Sequence, residues 1–335
     1  MTEHYVTFFD HLFLLQGLAL YESLQRHQPE SFLWVLCLDR EAETQLARLQ
    51  LPRLSIMPLH SFETPELLAA KSNRSWVEYI FTLTPFTYGS VFYQDSSIQR
   101  VTYVDADLFF FKNPTELLRE MERANKQVMV TEHAFSPEYS SLLADFGRFC
   151  VQFLTVTRAG ADGPVIRRWQ KQCLESCAMP ARKKSAVFGD QKYLDDWPEA
   201  YPNEVHICTR QAETLAPWNV DYYQALSDRK IWPVFYHFHS FRIFHPRWVQ
   251  LCTGYNPQCA AHLYEAYLVS LRRQEERLKS EGIGRPFIPF SNDRMWLPRL
   301  LWRLATGRIN IQRLPSEART MSHHTVPQSA NEVTL

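Results

Sequence analysis

The chain has 335 residues, with 36 basic and 36 acidic side chains and 45% hydrophobic residues. That length can bury one large core, and the zero formal net charge argues against a nucleic-acid binder, which carries a basic excess. Seven cysteines with no C-x-x-C pair, and ten glycines against 14% aromatic residues, exclude a zinc-ribbon and a low-complexity chain and fit a reducing, cytoplasmic compartment.

The start, MTEHYVTFFD, has no basic n-region, so no signal peptide is expected, and no uncharged run reaches the roughly 18 residues of a membrane span. HYVTFFD (4–10) reads as a strand and LFLLQGLALYESLQRH (12–27) as an amphipathic helix. SFLWVLCLD (31–39) is a near-continuous apolar run of the kind a strand buried on both faces needs. A helix over 40–49 and a strand near 54–59 follow. This alternation predicts a mostly parallel sheet in an α/β layer fold. Residues 65–92 read as helices broken near Pro85.

VTYVDADLFFFKNP (101–114) sets Asp105 and Asp107 at the end of an apolar strand. A strand period of two would aim both carboxylates to one side. Ligands in open α/β sheets bind beyond the carboxyl ends of the strands. Two carboxylates there suit Mn2+ or Mg2+ shared with substrate phosphates; the plainer reading is two strand-end turn residues. Asn113-Pro114-Thr115-Glu116 reads as a helix start.

Residues 127–133 and 149–158 read as strands, and 163–178 as a helix. GDQKYLDDWP (189–198) is a turn-and-helix segment. Its Asp190 and Gln191 are candidates to face a reacting centre, or Asp190 is simply a helix cap. LAPWNV (215–220) carries Trp218, either a platform for a sugar ring or a core residue. PVFYHFHSFRIF (233–244) is strand-like. His237 and His239 are candidate metal ligands there, and Arg242 is a candidate phosphate contact.

Past residue 258 the character changes. A charged helix over 261–282 leads to a segment, 294–314, with five arginines and no acid, interleaved with Trp296 and Trp302. That composition suits a helix on an anionic membrane surface, or a terminal helix packed on the domain. The expected organisation is a catalytic domain over 1–258, a helical, partly basic extension over 259–314 and a disordered tail over 315–335. No dinucleotide fingerprint, P-loop or serine-hydrolase elbow is present.

The early strand with Asp10, VDAD after an apolar strand, GDQKYL and the late YHFHSF occur in an order that resembles GT-A-type glycosyltransferases of the nucleotide-diphospho-sugar transferase superfamily. The motif order is similar to that of the retaining glycogenin and lipopolysaccharide-galactosyltransferase family, over residues 4–245. The resemblance implies a GT-A, Rossmann-like sheet flanked by helices. It implies a nucleotide-sugar donor, a UDP-sugar first, and a glycan or lipid-linked acceptor. Asp105 and Asp107 become the D-x-D pair on a divalent cation, completed by His237. The family pattern H-x-x-G-x-x-K is altered, with Ser240 at the glycine and Arg242 near the lysine, which keeps His239 open as the ligand. Thr7, Asp10, Arg74 and Glu78 fall where the donor would be contacted, and Asp190 and Gln191 near the transferred sugar. The alternatives are a sugar-1-phosphate nucleotidyltransferase, whose glycine-rich basic N-terminal loop is missing, and a non-catalytic nucleotide-sugar-binding protein.

Overall fold

In the computed structural model, residues 2–178, 188–245, 247–284 and 309–314 are described. The apolar runs form strands and the amphipathic runs between them form helices. In chain order they are β1 (His4–Phe9), α1 (Leu14–His27), β2 (Phe32–Cys37), α2 (Arg40–Leu49) and β3 (Leu54–Pro58). The region around Pro85 is a chain of short helices: α3 (Leu59–Phe62), α4 (Pro65–Lys71), α5 (Trp76–Leu83) and α6 (Thr87–Gln94). Then come β4 (Arg100–Val104), β5 (Leu108–Phe110), α7 (Thr115–Arg123), β6 (Val128–Glu132), α8 (Leu142–Phe146) and β7 (Phe149–Thr157). The chain continues through α9 (Arg158–Ala161), α10 (Pro164–Glu175), α11 (Trp197–Ala200), β8 (Val205–Ile207), β9 (Thr214–Leu215) and α12 (Val220–Ala225). It closes with β10 (Phe235–His237), β11 (Arg242–His245), β12 (Trp248–Thr253), α13 (Ala261–Ser280) and β13 (Ile309–Arg313).

The main sheet has seven strands in the order β3-β2-β1-β4-β7-β6-β8. It is mostly parallel, as expected; only β7 runs against its neighbours β4 and β6. Winding proceeds outward from β1 through β2 to β3, then jumps back to place β4 on the other side of β1. That reversal opens a crevice at the carboxyl ends of β1 and β4, where open α/β sheets bind ligands. Helices cover both faces. One core joins the sheet to α1, α2, α7 and α13, and another joins it to the α4–α6 run and α10. Helix α13 therefore packs in the same core as β1, with Tyr264 and Tyr267 fully buried.

Two small sheets complete the chain: β5-β10-β9 and β11-β12-β13. The strand-like run 233–244 is thus two strands, split where Ser240 takes a φ of 63°. The last of the basic segment also differs from the helix expected of it. Residues 309–313 are a strand paired antiparallel to β12, and 294–308 lie outside the described residues. A strand there satisfies its backbone groups on the β12 edge, which outweighs any amphipathic pattern.

Gly17 lets α1 lie close on β1, because a Cβ there would sit 2.3 Å from Cε1 of Phe9. Phe9 is buried and also forms part of the crevice wall. Gly17→Ala should destabilise the fold by ~1–3 kcal/mol through overpacking, measured by denaturant titration. A change near zero would mean that the Phe9 ring swings aside at no cost.

Candidate metal centre and cleft

At the carboxyl end of β4 the chain leaves the main sheet. Asp105, Ala106 and Asp107 form a turn, closed by the Leu108 amide donating to the Asp105 carbonyl at 3.1 Å. Turn geometry, rather than strand alternation, makes the two carboxylates converge. The Asp105 amide is held by the Gln152 carbonyl of β7 at 3.1 Å. The chain then becomes β5, which pairs antiparallel with β10 and sets Leu108 opposite His237. The Phe238 amide donates to the Asp107 carbonyl at 2.9 Å, locking the two segments together.

This pairing places His237 Nε2 3.0 Å from Asp107 Oδ1 and 3.6 Å from Asp105 Oδ2. One ligand atom from each of Asp105, Asp107 and His237 lies within 4.8 Å of the others. Two carboxylate oxygens and an imidazole nitrogen form a donor set that fits a divalent cation such as Mn2+ or Mg2+. His237 Nδ1 meets Gln152 Oε1 at 2.6 Å, so the Gln152 amide oxygen fixes the tautomer that leaves Nε2 able to ligate. Tyr103 donates to Asp105 Oδ1 at 2.9 Å. His239 lies outside this three-ligand group, with its ring centroid 5.4 Å from that of His237. The His239 side chain is exposed, and the charge of the neighbouring His237 disfavours a second proton on it.

The centre opens into a cleft of about 360 Å3. Its walls are Phe8, Phe9 and Phe13 on one side, Phe81, Phe146 and Phe188 on another, and Trp218 and Tyr255 near the histidines. Asp190 and Gln191 line it together with Asp10. Burial pushes the Asp190 carboxyl up to about 7, with Asp105 adding to the shift and a hydrogen bond from Thr84 opposing it. Asp190 Oδ2 has no hydrogen-bond partner among the described residues. Gln191 donates to the Phe146 carbonyl at 3.1 Å.

Asp10 spends Oδ1 on the amides of Leu12 and Phe13, capping the turn after β1. Other candidates stand away from the cleft wall. Thr7 is fully buried and shares the strand face of Tyr5 and Phe9; its hydroxyl has no partner among the described residues. Arg74 donates to Thr82 Oγ1 and to the Cys173 and Leu174 carbonyls, so it braces the last turn of α10. Glu78 closes a capping box with Ser75 at the start of α5, accepting from its amide at 2.9 Å. Each side chain is drawn to the nearest unsatisfied backbone or hydroxyl group, which spacing along the chain does not reveal. Arg242 is exposed at the cleft mouth, its guanidinium 5.7 Å from the centroid of the Phe13 ring. Ser240 occupies the left-handed conformation that the glycine of the family pattern would favour, at a cost of ~1 kcal/mol for a residue with a Cβ.

Two cleft residues, His133 and Tyr255, and the buried Gln152 behind His237 escaped the reading of the sequence. Gln152 had a usable signal, a lone amide inside the apolar strand FCVQFLTVT. His133 sits at the carboxyl end of β6, on the same sheet edge as Asp105. Tyr255 follows β12 and carries no local motif.

Fold and site have the arrangement that resemblance to GT-A-type glycosyltransferases implies: a switch-point crevice holding a D-x-D turn and a late histidine. Among known proteins, no family profile matches the chain. It is similar to the uncharacterized protein YfnD of Bacillus subtilis, 28% identical over 83% of this chain and 92% of that one. It is also similar to the uncharacterized protein YfnF of the same organism, 29% identical over 72% of this chain and 83% of the other. Among solved structures it overlaps mouse xyloside xylosyltransferase 1 at 14% identity and a TM-score of 0.46, covering 71% of this chain and 97% of that one. The galactosyltransferase LgtC in complex with donor and acceptor sugar analogs overlaps at 13% identity and a TM-score of 0.47, covering 70% and 86%. Likeness at this level carries no conclusion about the reaction; the geometry of the cleft has to supply it.

Both Asp105 and His237 must shed protons to ligate a cation. Burial, with the charge of Asp107 behind it, raises Asp105 to about 6 against the opposing charge of His237. Burial works against the His237 proton, but the charge and hydrogen bond of Asp107 prevail and raise its pKa above the usual histidine value. Cation binding should therefore strengthen as pH rises through about 6 and beyond. Mn2+ should raise the melting temperature more at pH 8 than at pH 6. Asp107→Ala should abolish the rise at both; equal rises in the wild-type protein at the two pH values would contradict this ligand set.

Proposed function

We propose that the protein is a metal-dependent glycosyltransferase that moves a sugar from a nucleotide-sugar, a UDP-sugar first, to a glycan or lipid-linked acceptor. The observation that carries this reading is the charge of the cleft. Its wall holds Asp10, Asp105, Asp107 and Asp190 and, among the described residues, no lysine or arginine. An anionic diphosphate meets there more carboxyl groups than the imidazole of His237 offsets, and a bound divalent cation would remove that conflict. Asp105, Asp107 and His237 are the residues that would hold one. Two half-buried carboxylates this close repel each other, and a cation between them would remove that repulsion.

A bound divalent cation supplies Lewis-acid stabilisation of charge on the leaving diphosphate. The chain does the rest. Asp105 and Asp107 set where the diphosphate lies. The aromatic walls exclude water from it and offer ring faces to the base and the sugar. Asp190 and Gln191 stand across the cleft, where a carboxyl poised near neutrality and a fixed amide can stabilise a reacting sugar carbon. Retention of configuration rests on the sequence resemblance.

We further propose contact with the cytoplasmic face of a membrane through residues 294–314, on their arginine- and tryptophan-rich composition. No described helix is long and apolar enough to cross a membrane. Replacing Arg294, Arg299 and Arg303 by serine should release the protein from anionic liposomes; unchanged binding would refute the contact.

The reaction is tested by incubating the protein with UDP-, GDP- and CMP-sugars and Mn2+. Slow hydrolysis of one of them is expected, stopped by chelation and reduced by ~10^2-fold or more in Asp107→Ala. Turnover unaffected by chelation would overturn the metal dependence. Tight nucleotide binding with no turnover, with or without acceptors, would identify a binding protein instead.

A further inference from the structure

His133 is held on every side but one. Its amide donates to the Arg148 carbonyl at 2.9 Å. Its carbonyl accepts from Trp218 Nε1 at 2.8 Å and from Asn219 Nδ2 at 3.0 Å. Its ring stacks on Phe135, with centroids 4.7 Å apart and planes within 9°, and meets the Trp218 ring edge-on at 5.3 Å. Nδ1 lies 2.9 Å from the Gly147 carbonyl. A carbonyl only accepts, so Nδ1 carries the proton and Nε2 carries a lone pair. Burial holds the ring's pKa down to about 3, so it stays neutral. The ring lines the cleft, and no described residue hydrogen-bonds Nε2.

Gln191 is hung on the same corner. Its Nε2 donates to the Phe146 carbonyl at 3.1 Å, one residue before the carbonyl that holds His133. That corner turns on Gly147, with φ of 92°, where a Cβ would also come 2.8 Å from Asp195 Oδ1. Each side chain thus donates to one of two adjacent backbone carbonyls and also carries an acceptor, Nε2 of His133 and Oε1 of Gln191. The Trp218 ring that flanks His133 also lies 5.4 Å, between centroids, from the ring of His237. Trp218 thus contacts the imidazoles of both His133 and His237, which leaves His133 one ring away from the candidate metal centre.

We propose that His133 Nε2 reads a hydroxyl of the transferred sugar, as an acceptor set beside Gln191 on the Phe146–Gly147 corner. This rests on the glycosyltransferase reading and names the residue that recognises the sugar rather than the nucleotide. A donor hydroxyl is required; a deoxy or O-methyl sugar at that carbon leaves Nε2 unpaired. His133 offers an acceptor here because the Gly147 carbonyl holds the ring's proton on Nδ1.

Two substitutions separate the ring's two nitrogens. His133→Asn keeps an amide N–H near the Gly147 carbonyl and removes the atom at Nε2. His133→Gln sets an amide oxygen near Nε2 and gives up the bond to Gly147. With Mn2+ present, titration calorimetry compares the nucleotide diphosphate alone with its sugar ester, using the donor that the hydrolysis screen selects. His133→Asn should bind the nucleotide as wild type does and the sugar ester ~3–10-fold more weakly, the loss of one hydrogen bond. His133→Gln should keep the sugar ester within about twofold while melting at a lower temperature. Equal affinities of wild type and His133→Asn for the sugar ester, or equal losses for both ligands, would overturn the proposal and leave the enzyme reading standing. A wild-type protein that binds neither ligand with Mn2+ would overturn both.

Discussion

The antiparallel pairing of β5 with β10 is the contact on which the site depends. It is only three residue pairs long, Leu108 to Phe110 against Phe235 to His237. Yet it joins segments more than a hundred residues apart and fixes an imidazole nitrogen between two carboxylates. The bonds around it are backbone bonds: Asp105 to the Gln152 carbonyl, Leu108 to the Asp105 carbonyl and Phe238 to the Asp107 carbonyl. The ligand side chains therefore inherit their positions from main chain that must pair somewhere once buried. Tyr236 and Phe238 flank His237 and are fully buried, and Phe238 stacks on Tyr267 of α13 with centroids 3.8 Å apart. The late helix so becomes part of what holds the Asp105–Asp107–His237 cluster in place.

Electrostatics then decide what the cleft accepts. Its walls combine aromatic rings with four aspartates; burial keeps His133 neutral, while the charge of Asp107 keeps the proton on His237. An anionic ligand meets four carboxyl groups there, offset among the described wall residues by the charge of His237. The acidic pair and His237 satisfy each other in the meantime, at a separation of 3.0 Å between Asp107 and the ring. Asp190 is left with its charge disfavoured, near a pKa of about 7. The chain thus holds in one cleft a strongly ionised carboxylate and one balanced between its two states, with burial and partner charge making the difference.

Much of the fold was legible along the chain. The apolar runs at 31–39, 100–104 and 149–158 became central strands, because a strand covered on both faces needs continuous apolar side chains. The D-x-D pair was legible because two acids inside a long apolar stretch need a reason. His237 was legible only as a candidate beside His239, since both lie on one short run and spacing cannot choose between them. Thr7, Arg74 and Glu78 were drawn elsewhere by contacts no pattern shows: a core face, a helix end and a capping box. Segment 309–313 took the pairing offered by β12 in place of a helix.

By itself the sequence determined the layer architecture, the edge of the sheet at which chemistry would sit and the residue types available there. Periodicity, apolar run length and local turn chemistry act over a few residues, and these properties depend on nothing longer. Only the tertiary structure decided which histidine meets the aspartates, that Gln152 orients it, and that Gly147 hangs His133 and Gln191 side by side. Those are pairings between backbone groups remote in sequence, chosen by the packing of whole elements, and nothing short of the folded chain brings them within hydrogen-bond reach.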